Sequence, residues 1–258
     1  SQTERLATEF SERDYNRLSE MAQTLVQLIV RNLYERTADV RWWATDEAFH
    51  KCLENPDPGN SAHAAQRLGI INRFYSVYMN LVLADTRGNV VAVSNPGKYR
   101  MGAGTDISAL SWYRKALATK AGDEYIAEDI YDDELHNNMP VAVYATTVRR
   151  DGELNGQPVG VLGVFFDWKE QSRVIVKEEP SLTPEEWKYS RVLLLDRAQR
   201  IIAASDGNDL YSHFSLNTAG NTKGHFRDNG GDLVAYARTL GYQEFDGLGW
   251  HGVIVQRA

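Results

Sequence analysis

The 258-residue chain has a single cysteine, Cys52, so it can form no internal disulfide and points to no redox compartment. Basic character is also scarce. Lys and Arg number 28 against 35 Asp and Glu, a formal net charge of −7, and no local Lys/Arg stripe reverses that sign. This argues against a nucleic-acid partner, because phosphate binding needs a concentrated basic surface. No apolar run is long enough to cross a bilayer, and none has the form of a signal peptide, so the chain as given is expected to be soluble. The six histidines (His50, His63, His136, His213, His225 and His251) show none of the short spacings that build a zinc site. Neither a metal nor a cofactor is expected. Catalytic signatures are missing too: there is no Gly-x-Ser-x-Gly elbow, P-loop or His-Glu-x-x-His, and Gly102–Gly104 lacks the third glycine of a dinucleotide loop. Nothing places a nucleophile beside a base, so the chain is expected not to be an enzyme.

Glycine and proline are absent between Thr3 and Glu54, and these are the strongest helix breakers. The region reads as one long helix, broken at most once. Leu18, Ala22, Leu25, Ile29 and Leu33 make a single apolar stripe, widened by Met21 and Leu28. About fifty helical residues would reach about 75 Å, more than most compact domains need. Turn chemistry in "NPDPGN", Asn55 to Asn60, ends the helix, and a shorter helical stretch follows from Ala62 to Ile71.

What is present is written twice. "VYMNLVLADTRGNVVAVSNP", Val77 to Pro96, runs in step with "SRVLLLDRAQRIIAASDG", Ser190 to Gly207. Asp85 aligns with Asp196, Leu83 with Leu194, Ala92 with Ala203, and Ser94 with Ser205. Each copy reads as a β-hairpin with an Asp-led turn, the second without a glycine at its tip. "VYATTV", Val143 to Val148, likewise echoes "AYARTL", Ala235 to Leu240, and each is followed by a polar turn and an apolar strand. The fold class inferred is α+β: two tandem modules with antiparallel sheets, sharing the long N-terminal helix. The first copy holds about nineteen extra residues between its second and third matched strands. Added loop of that size is commonly functional, which makes the first module the expected ligand site.

Taken together, the long helix, "LVLADTRGNVVAVS", "DISALSWYRKALA", "PVAVYATTV", "GVLGVFFDW" and "GLGWHGVIVQ" resemble the double-Cache (dCache) extracellular sensor domains, which are tandem PAS-like modules. The resemblance covers essentially the whole chain. It implies a long helix at 1–55, a membrane-distal ligand-binding module at 56–180 and a membrane-proximal module at 181–258. It further implies the periplasmic part of an inner-membrane receptor, with flanking membrane segments and a homodimer formed through the helix. A methyl-accepting chemotaxis protein is the first reading. The alternatives are a sensor histidine kinase, a diguanylate cyclase, or an interaction module with no small-molecule ligand.

Within the first module, "DISALSWYRKAL", Asp106 to Leu117, is expected to be a short helix capped by Asp106 or Ser108. Adjacent Trp112 and Tyr113 would point about 100° apart and wall a pocket with aromatic surface. The resemblance places an arginine two residues before the tryptophan to grip an amino-acid carboxylate, and here that position is Leu110. It also places an acid directly after "GVLGV", where this chain has Phe165, with Asp167 two residues on and on the same strand face. A standard α-amino acid is therefore disfavoured. Asp129 and Tyr131 are expected to turn inward, whereas Asp132, Asp133 and Glu134 are read as a solvated loop. With Tyr144, these make the ligand-binding candidates Trp112, Tyr113, Asp129, Tyr131, Tyr144 and Asp167. Acid plus aromatic rings suits an amine or a nitrogen heterocycle. A carboxylate is harder to hold, although Arg73, Arg100 and Arg114 are available as counter-charges.

Overall fold

The computed structural model describes residues 1–243 and 245–258, the side chains of 8–10 excepted. Contacts divide the chain into two compact units, Glu35–Lys169 and Ser1–Tyr34 with Glu170–Ala258. These limits differ from 55 and 180. The last turns of α1 (Gln2–Trp43) and all of α2 (Glu47–Glu54) belong with the first sheet, where Phe49 and Cys52 are fully buried. The single break between the two helices falls where Asp46 turns its carboxylate back onto the N–H of Ala48, at 2.9 Å, and so caps α2. Asp57 caps α3 (Pro58–Phe74) in the same way, with Pro58 in the first turn. The helical stretch is thus longer at both ends than its apolar pattern indicates.

In the Glu35–Lys169 unit, β1 (Tyr78–Asp85) and β2 (Val90–Val93) form the expected hairpin. After it come α4 (Ser111–Leu117), β3 (Ile126–Ala127), β4 (Tyr131–Asp133), β5 (Met139–Arg149) and β6 (Pro158–Asp167). The antiparallel sheet has the order β2-β1-β6-β5-β3, and β4 also pairs with β5. One face of it, the front, carries Val82, Val141, Val143, Ala145, Val161 and Phe165 beneath α4.

The other unit adds α5 (Trp168–Glu178), whose residues from Glu170 onward belong to it, and α6 (Pro184–Trp187). It also holds β7 (Ser190–Leu195), β8 (Ile201–Ala204), β9 (Lys223–Arg227), β10 (Leu233–Arg238) and β11 (His251–Gln256). Its order, β8-β7-β11-β10-β9, repeats that of the first sheet. The stripe Leu18, Ala22, Leu25, Ile29 and Leu33 is buried as expected, but Leu28 is exposed, and Val26 and Val30 take its place. Where α1 crosses β11, Gly252 leaves no room for a Cβ beside the Ala22 carbonyl.

The repeat holds at the level of single atoms. The Ser94 hydroxyl accepts the N–H of Leu81 at 2.8 Å, and the Ser205 hydroxyl accepts that of Val192 at 2.9 Å. Both hairpins carry a bulge at the matching step, Leu83/Ala84 and Leu194/Leu195. Asp85 folds its carboxylate over the N–H groups of Arg87 and Asn89, and Asp196 does so over that of Arg200. At the tip, Gly88 has φ 87° and its counterpart Gln199 has φ 62°, so the second turn takes the left-handed conformation without the residue best suited to it.

Candidate functional site

Between β2 and β5 the first unit carries α4 over the front of the sheet, with β3 and β4 paired along the edge of β5 and a short 3-10 turn, Glu134–His136, after them. The first turn of α4 has no side-chain cap. Its N-cap is Leu110, and Asp106 instead accepts the N–H of Ser108 in the preceding turn. Leu110 packs against the front cluster, where the resemblance places a carboxylate-gripping arginine.

Trp112 and Tyr113 diverge as expected, and both are buried. The Trp112 ring lies on the sheet over Gly163, so close that a Cβ there would stand 2.7 Å from its Cζ3. It meets Phe165 edge-on at 5.4 Å between centroids. Among the described residues its indole N–H has no hydrogen-bond partner, although the residue is only 3 % exposed. A buried donor left unmade costs about 1–3 kcal/mol, which makes it the most telling polar atom of the face. Tyr113 is satisfied: its hydroxyl donates to the Asp85 carbonyl at 2.7 Å, and burial pushes its phenol up.

Tyr131 packs against the same cluster, half-buried, and desolvation raises its phenol well above the ordinary range. It pairs across the sheet with Val141, which pairs with Asp167, so Tyr131 and Asp167 stand in one cross-strand row on the front. The structure thus places Trp112, Tyr113, Tyr131 and Asp167 on one face, but the Tyr113 hydroxyl stands at the Asp85 end of β1 and Asp167 at the opposite end, beside Val77. It does not bring in Tyr144, which is buried on the opposite face because it alternates with Val143 and Ala145 of the front cluster. Nor does it bring in Asp129, which is exposed. The inward acid is Asp133, which sequence reading assigned to solvent; Asp132 and Glu134 are exposed as expected.

Asp133 holds His136, the residue that sequence reasoning missed. Its Oδ2 lies 2.8 Å from His136 Nδ1, and its other oxygen accepts the N–H of Leu135 at 3.0 Å. The fully buried imidazole sits against Phe165 at 4.4 Å and Tyr99 at 4.9 Å. Its Nε2 is 3.1 Å from the Asn80 amide, which joins it to Ser94, Asn72 and Asn95. The spacing of Asp133 and His136, three residues apart, was the only local signal for it; its other partners, Asn80, Tyr99 and Phe165, lie on distant segments. This chain of polar groups reaches an open cleft of about 710 Å³, lined by Asn72, Arg73, Ser94 and Asn95 among others.

On α2, His50 and Glu54 approach Asp151, with potential ligand atoms within 4.8 Å of one another. Hydrogen bonds account for the group as a clasp. Glu54 takes His50 Nδ1 at 3.1 Å and the Asp151 N–H at 2.8 Å, and these bonds hold its carboxyl below the ordinary value against the opposing effect of burial.

No family model matches the sequence, and no curated relative matches it. Solved structures do. The ligand-binding domain of the Pseudomonas aeruginosa amino acid chemoreceptor PctC, in complex with GABA, is 19% identical with a TM-score of 0.68, over 94% of this chain and 99% of that one. The sensor domain of the Vibrio cholerae histidine kinase DctB is 14% identical with a TM-score of 0.66, over 100% and 99%. The ligand-binding domain of the Pseudomonas fluorescens chemoreceptor CtaA, in complex with L-serine, is 17% identical with a TM-score of 0.64, over 96% and 98%. At such identities the likeness shows the fold: this chain has the two-sheet architecture of chemoreceptor and sensor-kinase ligand-binding domains, the double-Cache arrangement that its sequence resembles.

Proposed function

We propose that this chain is the periplasmic ligand-binding domain of a membrane-anchored receptor of the chemotaxis type, and that a small organic molecule binds on the front of the 35–169 sheet. The observation that carries the reading is the buried, partnerless indole N–H of Trp112, set among aromatic rings in the added segment of the first module. That donor calls for an acceptor on the ligand. A protonated amine offers none, so a nitrogen heterocycle with an unprotonated ring nitrogen is favoured over a simple amine. Its π-face suits the rings of Tyr131 and Phe165, which line the same face. Leu110 in place of an arginine removes the counter-charge for an amino-acid carboxylate.

Trp112, Tyr131, Leu135 and Met139 fill this face, so the arrangement is a closed one. Entry of a ligand displaces the short β3–β4 segment and biases the unit between closed and open forms, and α1 carries the bias onward. A difference in affinity between the two forms is all that signalling requires.

A thermal-shift screen of purines, pyrimidines and pyridines tests this. One class is expected to raise the Tm in a dose-dependent way, by mass action. Trp112→Phe, which keeps a ring and removes the donor, is expected to weaken that ligand by at least about tenfold. A screen in which no compound shifts the Tm, or a shift unchanged in both Trp112→Phe and Tyr131→Ala, overturns the reading.

A further inference from the structure

A second cavity in the 35–169 unit, of about 220 Å³, lies away from the front-face aromatics and is lined by Arg41, Ala44, Thr45, Thr147, Arg149 and Leu154 among others. Arg149 is only 5 % exposed. Two of its nitrogens donate to neutral carbonyls, of Thr119 at 2.6 Å and Gly156 at 2.9 Å, while its Nε–H is buried with no partner among the described residues. Arg41 likewise spends its N–H groups on neutral oxygens: the Thr37 carbonyl, the Thr37 hydroxyl and the Asp123 carbonyl. Among the described residues no carboxylate comes within ion-pair distance of either guanidinium. Glu153, at the rim of the same cavity, is exposed and pairs with neither. Glu124 feels Arg149 from farther off, but its carboxylate is committed to the N–H groups of Lys120 and Ala121.

Buried charges are ordinarily paired, and Arg149 is an exception; Arg41, half-exposed beside it and stacked over the Tyr125 ring at 5.1 Å, also lacks a carboxylate, and an anion in the cavity would neutralise both. We infer that this cavity is a second ligand site, independent of Trp112, that binds a small organic carboxylate between Arg41 and Arg149. Arginine is the residue whose fork matches a carboxylate. Ala44 and Leu154 give a short aliphatic chain apolar walls. The volume is below the drug-sized range of about 300–1,000 Å³ and suits a guest of the size of propionate or succinate.

The test is isothermal titration calorimetry on the full chain with propionate, succinate and inorganic phosphate, at constant ionic strength balanced with chloride. Saturable binding of at least one carboxylate is expected. Arg41→Gln, at a half-buried position, is expected to weaken it by at least about tenfold, and Arg149→Lys, which keeps the charge and removes the fork, by a similar factor. Trp112→Phe is expected to leave it unchanged, which separates this site from the front face. Near-UV circular dichroism checks that each variant is folded. The inference is overturned if neither carboxylate binds saturably, if binding is the same in Arg41→Gln as in the parent, or if phosphate alone binds.

Discussion

His136 Nδ1 and Asp133 Oδ2 lie 2.8 Å apart inside the first unit, and the surrounding bonds determine which nitrogen of the ring carries the proton. Asn80 Oδ1 accepts the N–H of Asn95, so the other end of that amide is its donor, and it faces His136 Nε2. Nε2 therefore accepts, and Nδ1–H donates to Asp133. Asp133→Ala would leave this donor and the N–H of Leu135 without their partner. The expected loss is about 1–3 kcal/mol in urea unfolding, with Asp133→Asn losing less because it keeps an acceptor. Equal, negligible losses in both would show that the buried pair is not formed.

Gly163 and Trp112 give a steric prediction. A methyl group at 163 would stand 2.7 Å from Trp112 Cζ3, and the ring is held from the side by Phe165. Gly163→Ala is expected to lose about 1–3 kcal/mol and to change the near-UV circular dichroism of the tryptophans. A spectrum like the parent's with full stability would mean that Trp112 does not lie on the sheet.

The two equivalent serines should not be equally sensitive. Ser94 is buried and bonds to Leu81, Asn72 and Asn80, whereas Ser205, half-buried, bonds to Val192. Both alanine variants leave a strand N–H unmade. Ser94→Ala is expected to lose about 2–3 kcal/mol and Ser205→Ala about 1 kcal/mol in equilibrium unfolding. The reverse order would contradict the network around Asn80.

His251, on β11 opposite Arg238, gives a pH dependence. Desolvation, assisted by the Arg238 charge, pushes its pKa down from 6.5 to about 4. The unfolded chain therefore binds a proton that the native state refuses between these values. Stability contributed by the neutral ring is fully present above pH 6.5 and is lost as pH falls towards 4. Solvent reaching the half-buried ring screens the effect, leaving on the order of 1–2 kcal/mol. Urea midpoints of the parent and of His251→Gln, compared at about pH 7 and about pH 5, are expected to show the smaller pH dependence in the variant. An identical pH dependence in both would remove His251 as its source.

The sequence by itself determined the repeat. Strand alternation, Asp-led turns and the helical stripe are local patterns, and they lead to two matched antiparallel sheets and a long first helix because each is written within a few consecutive residues. Strand parity placed Asp167 on the face of Phe165, and helical spacing set Trp112 and Tyr113 apart, but the same reading grouped Asp129 and Tyr144 with them. Parity along β5 also turns Tyr144 away from the face of Val143 and Ala145. Tertiary structure alone decided that Asp129 faces water while Asp133 faces in, and that Arg41 and Arg149 share a cavity without an ion pair. Side-chain burial in a short irregular segment depends on which distant elements close over it. Periodicity carries no information about that.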